Sequence, residues 1–160
     1  LERGLEIADI ANELGYGIKL NTVVTSANKF DNMAAVVKRI NPVRWKIFQV
    51  LKIEGENDGR VEPYLIRKAE FDIYVERHKT SLADSEIAVV DECNEEMLGT
   101  YAMIDSLGRV YTNMDGRYKY STMTIQEVGF PHAWAEVSQG FSTIGFEARG
   151  GQWDWEAFAL

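Results

Sequence analysis

The sequence predicts an α/β fold, with helix and strand alternating on a parallel sheet and a more irregular α+β region after it. Three observations carry this. Over residues 1–59 the apolar period switches repeatedly between helical and strand spacing across short connections. After Gly59 the rhythm changes to short strands and a hairpin. With 160 residues, 46% apolar and 11% aromatic, the chain has enough material for a packed core. The expected division is residues 1–59 and 60–160.

Leu1, Leu5, Ala8 and Ala11 repeat on one helical face, widened by Ile7, Ile10 and Leu14, and Gly15-Tyr16-Gly17 stops the helix. The helix opens without a capping residue, which is expected of a chain cut within a larger domain. Ile18 to Val24 is β-rich. Met33, Ala34, Val37 and Ile40 share the face of a helix over 32–40, which Asn41-Pro42 ends. Trp45 to Ile53 is a nearly continuous apolar strand, closed by a turn over 54–59. Phe71, Tyr74, Val75 and His78 mark another helix face. Ile87 to Val90 is a short strand, and residues 101–105 and 109–113 form a hairpin around Ser-Leu-Gly. A short helix starts at Pro131 and ends before Gly140, and the tail over 149–155 is loop-like.

The net charge of −8 argues against an open surface for nucleic acid or anionic membrane. No apolar run approaches the roughly 20 residues of a membrane span. One cysteine, Cys93, excludes a disulfide framework, and this chain alone cannot ligate an iron–sulfur cluster. A protein of a reducing compartment, the cytoplasm, is expected.

The charge is segregated. Residues 32–53 carry Lys38, Arg39, Arg44, Lys46 and Lys52 but no acid, whereas residues 80–108 carry seven carboxylates and no base. Strand alternation puts Lys19 with Asn21, and Arg44 with Lys46, each pair on one face. Both pairs lie near the starts of successive strands, at one level of a parallel sheet. Such strands are normally covered on both faces, so cations there need an anion to offset their desolvation. A polyphosphate fits, held by point charges from Lys and a forked donor from Arg. Singly, each cation is as well explained by snorkelling from a strand end. The strand starts are also unusual, because sites in barrel folds gather at the carboxyl ends.

Asn41-Pro-Val-Arg-Trp-Lys-Ile-Phe-Gln49 followed by Ile53-Glu-Gly-Glu-Asn57 resembles the viperin-like radical S-adenosylmethionine nucleotide dehydratases. The match continues through Ile18-Lys-Leu-Asn-Thr22, Glu76-Arg-His-Lys79, Glu92, Asn94, Met97, Tyr101 to Asp105, Glu127-Val-Gly129 and Arg149-Gly-Gly151, essentially the whole chain. The resemblance implies the last βα units of a partial (βα)6 radical enzyme barrel, followed by an extension that closes the nucleotide site. It implies a [4Fe–4S] cluster and S-adenosylmethionine in the full-length enzyme, an external electron donor, and a nucleoside triphosphate such as CTP. The implied product is a 3′-deoxy-3′,4′-didehydro nucleotide used in antiviral defence. Lys19, Asn21, Arg44 and Lys46 then correspond to triphosphate contacts, joined by Lys119 and Arg149. Tyr101 corresponds to a tyrosine that supplies a proton; by itself it is an ordinary hairpin ring.

The family's CxxxCxxC segment precedes everything in this chain, and Cys93 cannot replace three thiolates. The expectation is therefore a C-terminal half that binds no cluster alone. A stand-alone nucleoside-triphosphate-binding module and an interaction scaffold are the rival readings. His78 and His132 have no ligand spacing, and helix-end or surface roles are expected of them. Gly150-Gly151 gains meaning only beside Arg149, and Trp153 with Trp155 is expected to pack the tail.

Overall fold

The computed structural model describes residues 2–152 and 154. Leu1, Trp153 and Trp155 lie outside the described residues, so the first position of the opening stripe and the tail tryptophan pair do too. The chain is mixed α/β and divides into two compact units. One comprises Leu1–Val50, Ile66–Cys93 and Gln152–Leu160; the other comprises Leu51–Leu65 and Asn94–Gly151.

The first unit is built on a three-stranded parallel sheet of order β1-β2-β3. Helix α1 (Glu2–Glu13) precedes β1 (Lys19–Val24). Only one edge of the expected wide stripe is used. Ala8 is buried, and Leu5, Ala8 and Ala11 face Ile18, Leu20 and Ile40 across an apolar groove, whereas Ile7, Ile10 and Leu14 stay exposed. Helix α2 (Ala34–Ile40) ends where Asn41 takes a left-handed conformation, φ 51°, with its N–H on the Val37 carbonyl. Asparagine tolerates that conformation, and Pro42 then prevents continuation.

Strand β2 (Arg44–Gln49) pairs with β1 from Lys19↔Arg44 to Val24↔Gln49. The apolar run to Ile53 therefore does not continue as strand. The Val50 N–H still reaches the Val24 carbonyl, but the next groups turn to Asn57, whose Oδ1 accepts from the Ile53 N–H at 2.8 Å and whose Nδ2 donates to Leu51 O at 3.0 Å. A side-chain amide that mimics the ladder ends it.

Helix α3 (Lys68–Ser81) buries Phe71, Tyr74, Val75 and His78, the four residues expected to share a face. Glu70 closes its first turn by accepting from the Arg67 N–H at 2.9 Å. The Lys29 ammonium at 2.5 Å, with that N–H, holds the Glu70 carboxyl down to about 2. Strand β3 (Ala88–Glu92) pairs with β2 and runs two residues beyond the expected end.

His78 lies in the last turn of α3, the helix-end place expected of it, but it is not a surface residue. It is fully buried, its ring 5.3 Å from that of Trp45 and edge-on to it. Its Nε2 accepts from the Met33 N–H at 2.9 Å, and Nδ1 lies 2.8 Å from the Tyr74 carbonyl. That arrangement requires the neutral ring protonated on Nδ1. Burial accordingly lowers its pKa.

In the second unit residues 51–65 contain one 3-10 turn, Glu62–Tyr64. A short helix α4 (Asn94–Met97) leads to an antiparallel sheet of order β4-β5-β6. The expected hairpin is β4 (Ala102–Ile104) and β5 (Arg109–Thr112), its turn fixed by Asp105 Oδ1 accepting from the Leu107 and Arg109 N–H groups at 2.9 Å. Strand β6 (Lys119–Thr124) was not apparent from the sequence. Thr124 and Glu127 cap α5 (Ile125–Val128) reciprocally. Helix α6 (Phe130–Val137) sits where a helix was expected at Pro131 and packs Ala133 and Val137 on Val110, flanked by Ile125, Val128 and Trp134. Helix α7 (Thr143–Ala148) was not apparent from the sequence; it is capped by Ser142 Oγ accepting from the Gly145 N–H at 2.9 Å. Among the described residues no helix is long and apolar enough to cross a membrane.

Candidate functional site

Register decides which side chains of the parallel sheet can act together. Lys19 pairs with Arg44, Asn21 with Lys46, and Phe48 with Glu92. With a period of two, Lys19, Asn21, Arg44, Lys46 and Glu92 all project from one face. The other face carries Leu20, Thr22, Val24, Trp45, Ile47 and Gln49. That face is the core side: Trp45, Ile47 and Val24 are fully buried, and the Trp45 Nε1–H donates to Thr22 Oγ1 at 2.9 Å. Helix α3 covers it through His78 on Trp45, and Lys79 reaches Asp91 of that face at 2.6 Å. The expected level of the two polar pairs is thus met, and helices cover the opposite side.

Within the polar face the cations differ. Lys19 and Asn21, on edge strand β1, are exposed, whereas Arg44 and Lys46 on central β2 are 3% and 6% exposed. Lys46 Nζ forms an ion pair with Glu92, which is fully buried. Its ammonium also lies 5.4 Å from the Phe48 ring centroid. A buried lysine is tolerated where a carboxylate offsets the loss of water. The face therefore holds three cations and one carboxylate, a positive surface with a built-in counter-ion.

The remaining expected residues, Tyr101, Lys119 and Arg149, fall in the second unit. Ala102 pairs with Thr112 and Thr112 with Lys119, so Tyr101 and Lys119 lie at the same end of the antiparallel sheet. Lys119 is exposed. Arg149, 9% exposed, places Cζ 4.0 Å from the Tyr101 ring centroid and 5.2 Å from that of Phe146. Its Nη2 donates to the Thr100 carbonyl at 2.7 Å. Gly150 and Gly151 follow with φ of 104° and 47°. Both angles lie in the left-handed region that favours glycine, so the turn after Arg149 calls for glycine at these positions.

No family model matches the chain. Curated proteins do. A dehydratase of Flammeovirga pacifica, named as S-adenosylmethionine-dependent and acting on nucleotides, is 39% identical over 144 residues, covering 90% of this chain and 47% of its own. One of the same name from Lacinutrix mariniflava is 36% identical over 94% of this chain and 30% of its own length. One from Oncorhynchus mykiss is 32% identical over 97% and 44%. Over nine-tenths or so of its length the chain is thus similar to proteins named S-adenosylmethionine-dependent nucleotide dehydratases. It spans less than half the length of these relatives.

The resemblance in sequence implies a cluster in the full-length enzyme, and the described residues of this chain offer no donor set that fits one. Among the described residues, no group of three or more His, Cys, Asp or Glu side chains could hold a metal ion, and Cys93 is buried. Glu92 is the residue that site reasoning on the sequence missed. Counting the alternation two residues past Val90 puts it on the face of Ala88, beside the cations, which was the available signal. The Arg149–Tyr101 stack had no signal, since the two residues are far apart in sequence.

Proposed function

We propose that this chain forms the phosphate-holding and proton-donating part of an S-adenosylmethionine-dependent nucleotide dehydratase whose substrate is a nucleoside triphosphate of the CTP class. The carrying observation is the in-register pairing of Lys19 and Asn21 with Arg44 and Lys46 on the sheet face opposite α3. An ammonium–amide–guanidinium–ammonium array at one level offers several charge-assisted donors to one polyanion. Lys119 and Arg149 add phosphate contacts in this reading, and Tyr101 presents an O–H that can be given up as a proton. A [4Fe–4S] cluster with S-adenosylmethionine, if held outside this chain in the complete protein, would supply the radical chemistry. The residues of this chain bind, orient and protonate; electrons come from an external donor. The dehydrated product, a 3′-deoxy-3′,4′-didehydro nucleotide, suits a role in antiviral defence, and the cytoplasm is the proposed setting.

The test is calorimetric titration of CTP into the protein before and after Lys19→Gln, an exposed position whose loss spares the core. Removing one charge-assisted contact is expected to weaken binding by about tenfold. Unchanged affinity in Lys19→Gln and in Arg44→Gln would overturn the assignment of this face. Nucleotide binding without any turnover by the complete, cluster-loaded polypeptide would leave a binding module instead of an enzyme.

A further inference from the structure

Helix α7 grips the segment before β4 at both of its ends. At its start the Ser142 N–H donates to the Gly99 carbonyl at 2.9 Å. In its first turn a Cβ on Gly145 would lie 2.9 Å from Thr100 Cγ2, so the helix backbone passes directly over Thr100. At its end Arg149 closes the helix, donates to the Thr100 carbonyl at 2.7 Å and lays its guanidinium 4.0 Å from the centre of the Tyr101 ring. Phe146, one turn earlier, has its ring 5.2 Å from Arg149 Cζ. Thr100 is itself fixed, its Oγ1 donating to the Glu96 carbonyl at 2.7 Å.

We propose that Arg149 is the positioning residue for Tyr101: one guanidinium fixes the phenol through its ring face and through the carbonyl that precedes it. The planar, forked group can hold a ring, a carbonyl and an anion at once, which a lysine ammonium cannot. An anion that draws on Arg149 therefore also sets the direction of the Tyr101 hydroxyl. Phosphate binding and proton delivery become one event, so the phenol is aimed only when substrate is in place. The proposal rests on the dehydratase reading for the identity of the anion and for the proton's use. The stack itself stands on the geometry.

The experiment uses the complete protein labelled with 3-fluorotyrosine, the Tyr101 fluorine resonance being assigned by its loss in Tyr101→Phe. Inorganic triphosphate and CTP are the probes. The unmodified Tyr101 resonance is expected to move on adding triphosphate. In Arg149→Lys it should start at a different shift and stop responding, while triphosphate affinity changes by no more than about tenfold because the charge remains. In the cluster-loaded enzyme, dehydrated nucleotide formed per S-adenosylmethionine consumed, at saturating CTP, should fall by at least about tenfold, the scale of a misplaced catalytic group. Phe146→Leu keeps the arginine and should give an intermediate change in both signals, which guards against a variant that fails to fold. An Arg149→Lys resonance and product ratio matching the parent would overturn the proposal. So would weaker affinity with an unchanged ratio at saturation, which makes Arg149 a phosphate ligand only. If the parent binds neither probe and makes no product, the dehydratase reading falls, and the fluorine shift between parent and Arg149→Lys still decides the positioning.

Discussion

The two units hold their cations by opposite means. In the parallel unit, Arg44 opens the central strand β2 and Lys46 follows two residues along it, and their direction follows from register alone. In the antiparallel unit, Tyr101 stands just before β4, Lys119 opens β6 and Arg149 closes α7, so each lies at an element's end. Sheet register needs a counter-charge, because a central strand removes water from whatever it carries, and Glu92 provides it. Element ends stay nearer solvent and instead use backbone carbonyls and ring faces to fix direction. Preorganisation in one unit rests on a buried ion pair; in the other it rests on neutral carbonyl and ring acceptors.

The largest effect should come from breaking the buried ion pair. Glu92→Ala leaves Lys46 buried without its carboxylate, and a cost of about 3–5 kcal/mol is expected in urea unfolding of the protein. The double variant Lys46→Met with Glu92→Leu removes both charges at similar volume and should recover most of that loss. A single Glu92→Ala costing less than about 1 kcal/mol would mean the pair is not what stabilises the face.

Next in size is the acid response of the same unit. His78 is held neutral by burial, and its folded pKa lies below the ordinary 6.5. A base with a depressed folded pKa stabilises above its unfolded value and is lost as pH falls, since the unfolded chain then takes the proton more readily. Stability should therefore decline progressively as pH drops below about 6.5, with denaturation followed through the Trp45 environment. The groups around the ring are Met33 N–H, the Tyr74 carbonyl, Trp45 and the nearby Arg77 charge, which also disfavours protonation. In His78→Gln that part of the pH slope should vanish, although the variant is less stable throughout.

Much of the parallel unit was legible because its signals are periodic. The alternation in Ile18-Lys-Leu-Asn-Thr and Val-Arg-Trp-Lys-Ile fixed both the strand faces and the level of the two polar pairs. The antiparallel unit was less so. Strand β6, Lys-Tyr-Ser-Thr-Met-Thr, carries small hydroxyls on both faces and no apolar stripe, and Ser121 joins the sheet by accepting from the Val110 N–H through its side chain. Helix α7 is short, and a helix of that length forms through its cap and its tertiary contacts more than through propensity. His78 shows both kinds of signal: its place beside Lys79 marks the helix end, and helical spacing from Tyr74 and Val75 carries its ring inward.

That reading of α7 sets a smaller prediction in the antiparallel unit. Ser142→Ala removes the cap from the Gly145 N–H, and a cost of about 1 kcal/mol is expected from thermal unfolding. Because the opposite end of the helix carries Arg149, nucleotide affinity should weaken slightly in parallel. An effect on stability with none on affinity would show that α7 orders its first turn independently of Arg149.

The smallest effect should sit at Tyr74, and its sign separates paired from orphaned polar groups within one core. The ring is fully buried against His78, with centroids 4.2 Å apart, yet its hydroxyl has no hydrogen-bond partner among the described residues. Burial pushes the phenol up to about 12. Removing a buried hydroxyl that makes no bond discards a desolvation cost and no interaction, so Tyr74→Phe should change stability at pH 7 by less than about 0.5 kcal/mol, in the stabilising direction. The alkaline limb should change more. A raised folded pKa means stability fully present below the unfolded value of 10 and lost as pH rises above it. Tyr74→Phe removes that loss, so the gap between the variant and its parent should widen from pH 10 upward in urea titrations. A clear destabilisation at pH 7 would mean that the hydroxyl has a bonded partner after all, and that the core of the parallel unit tolerates no unpaired polar group.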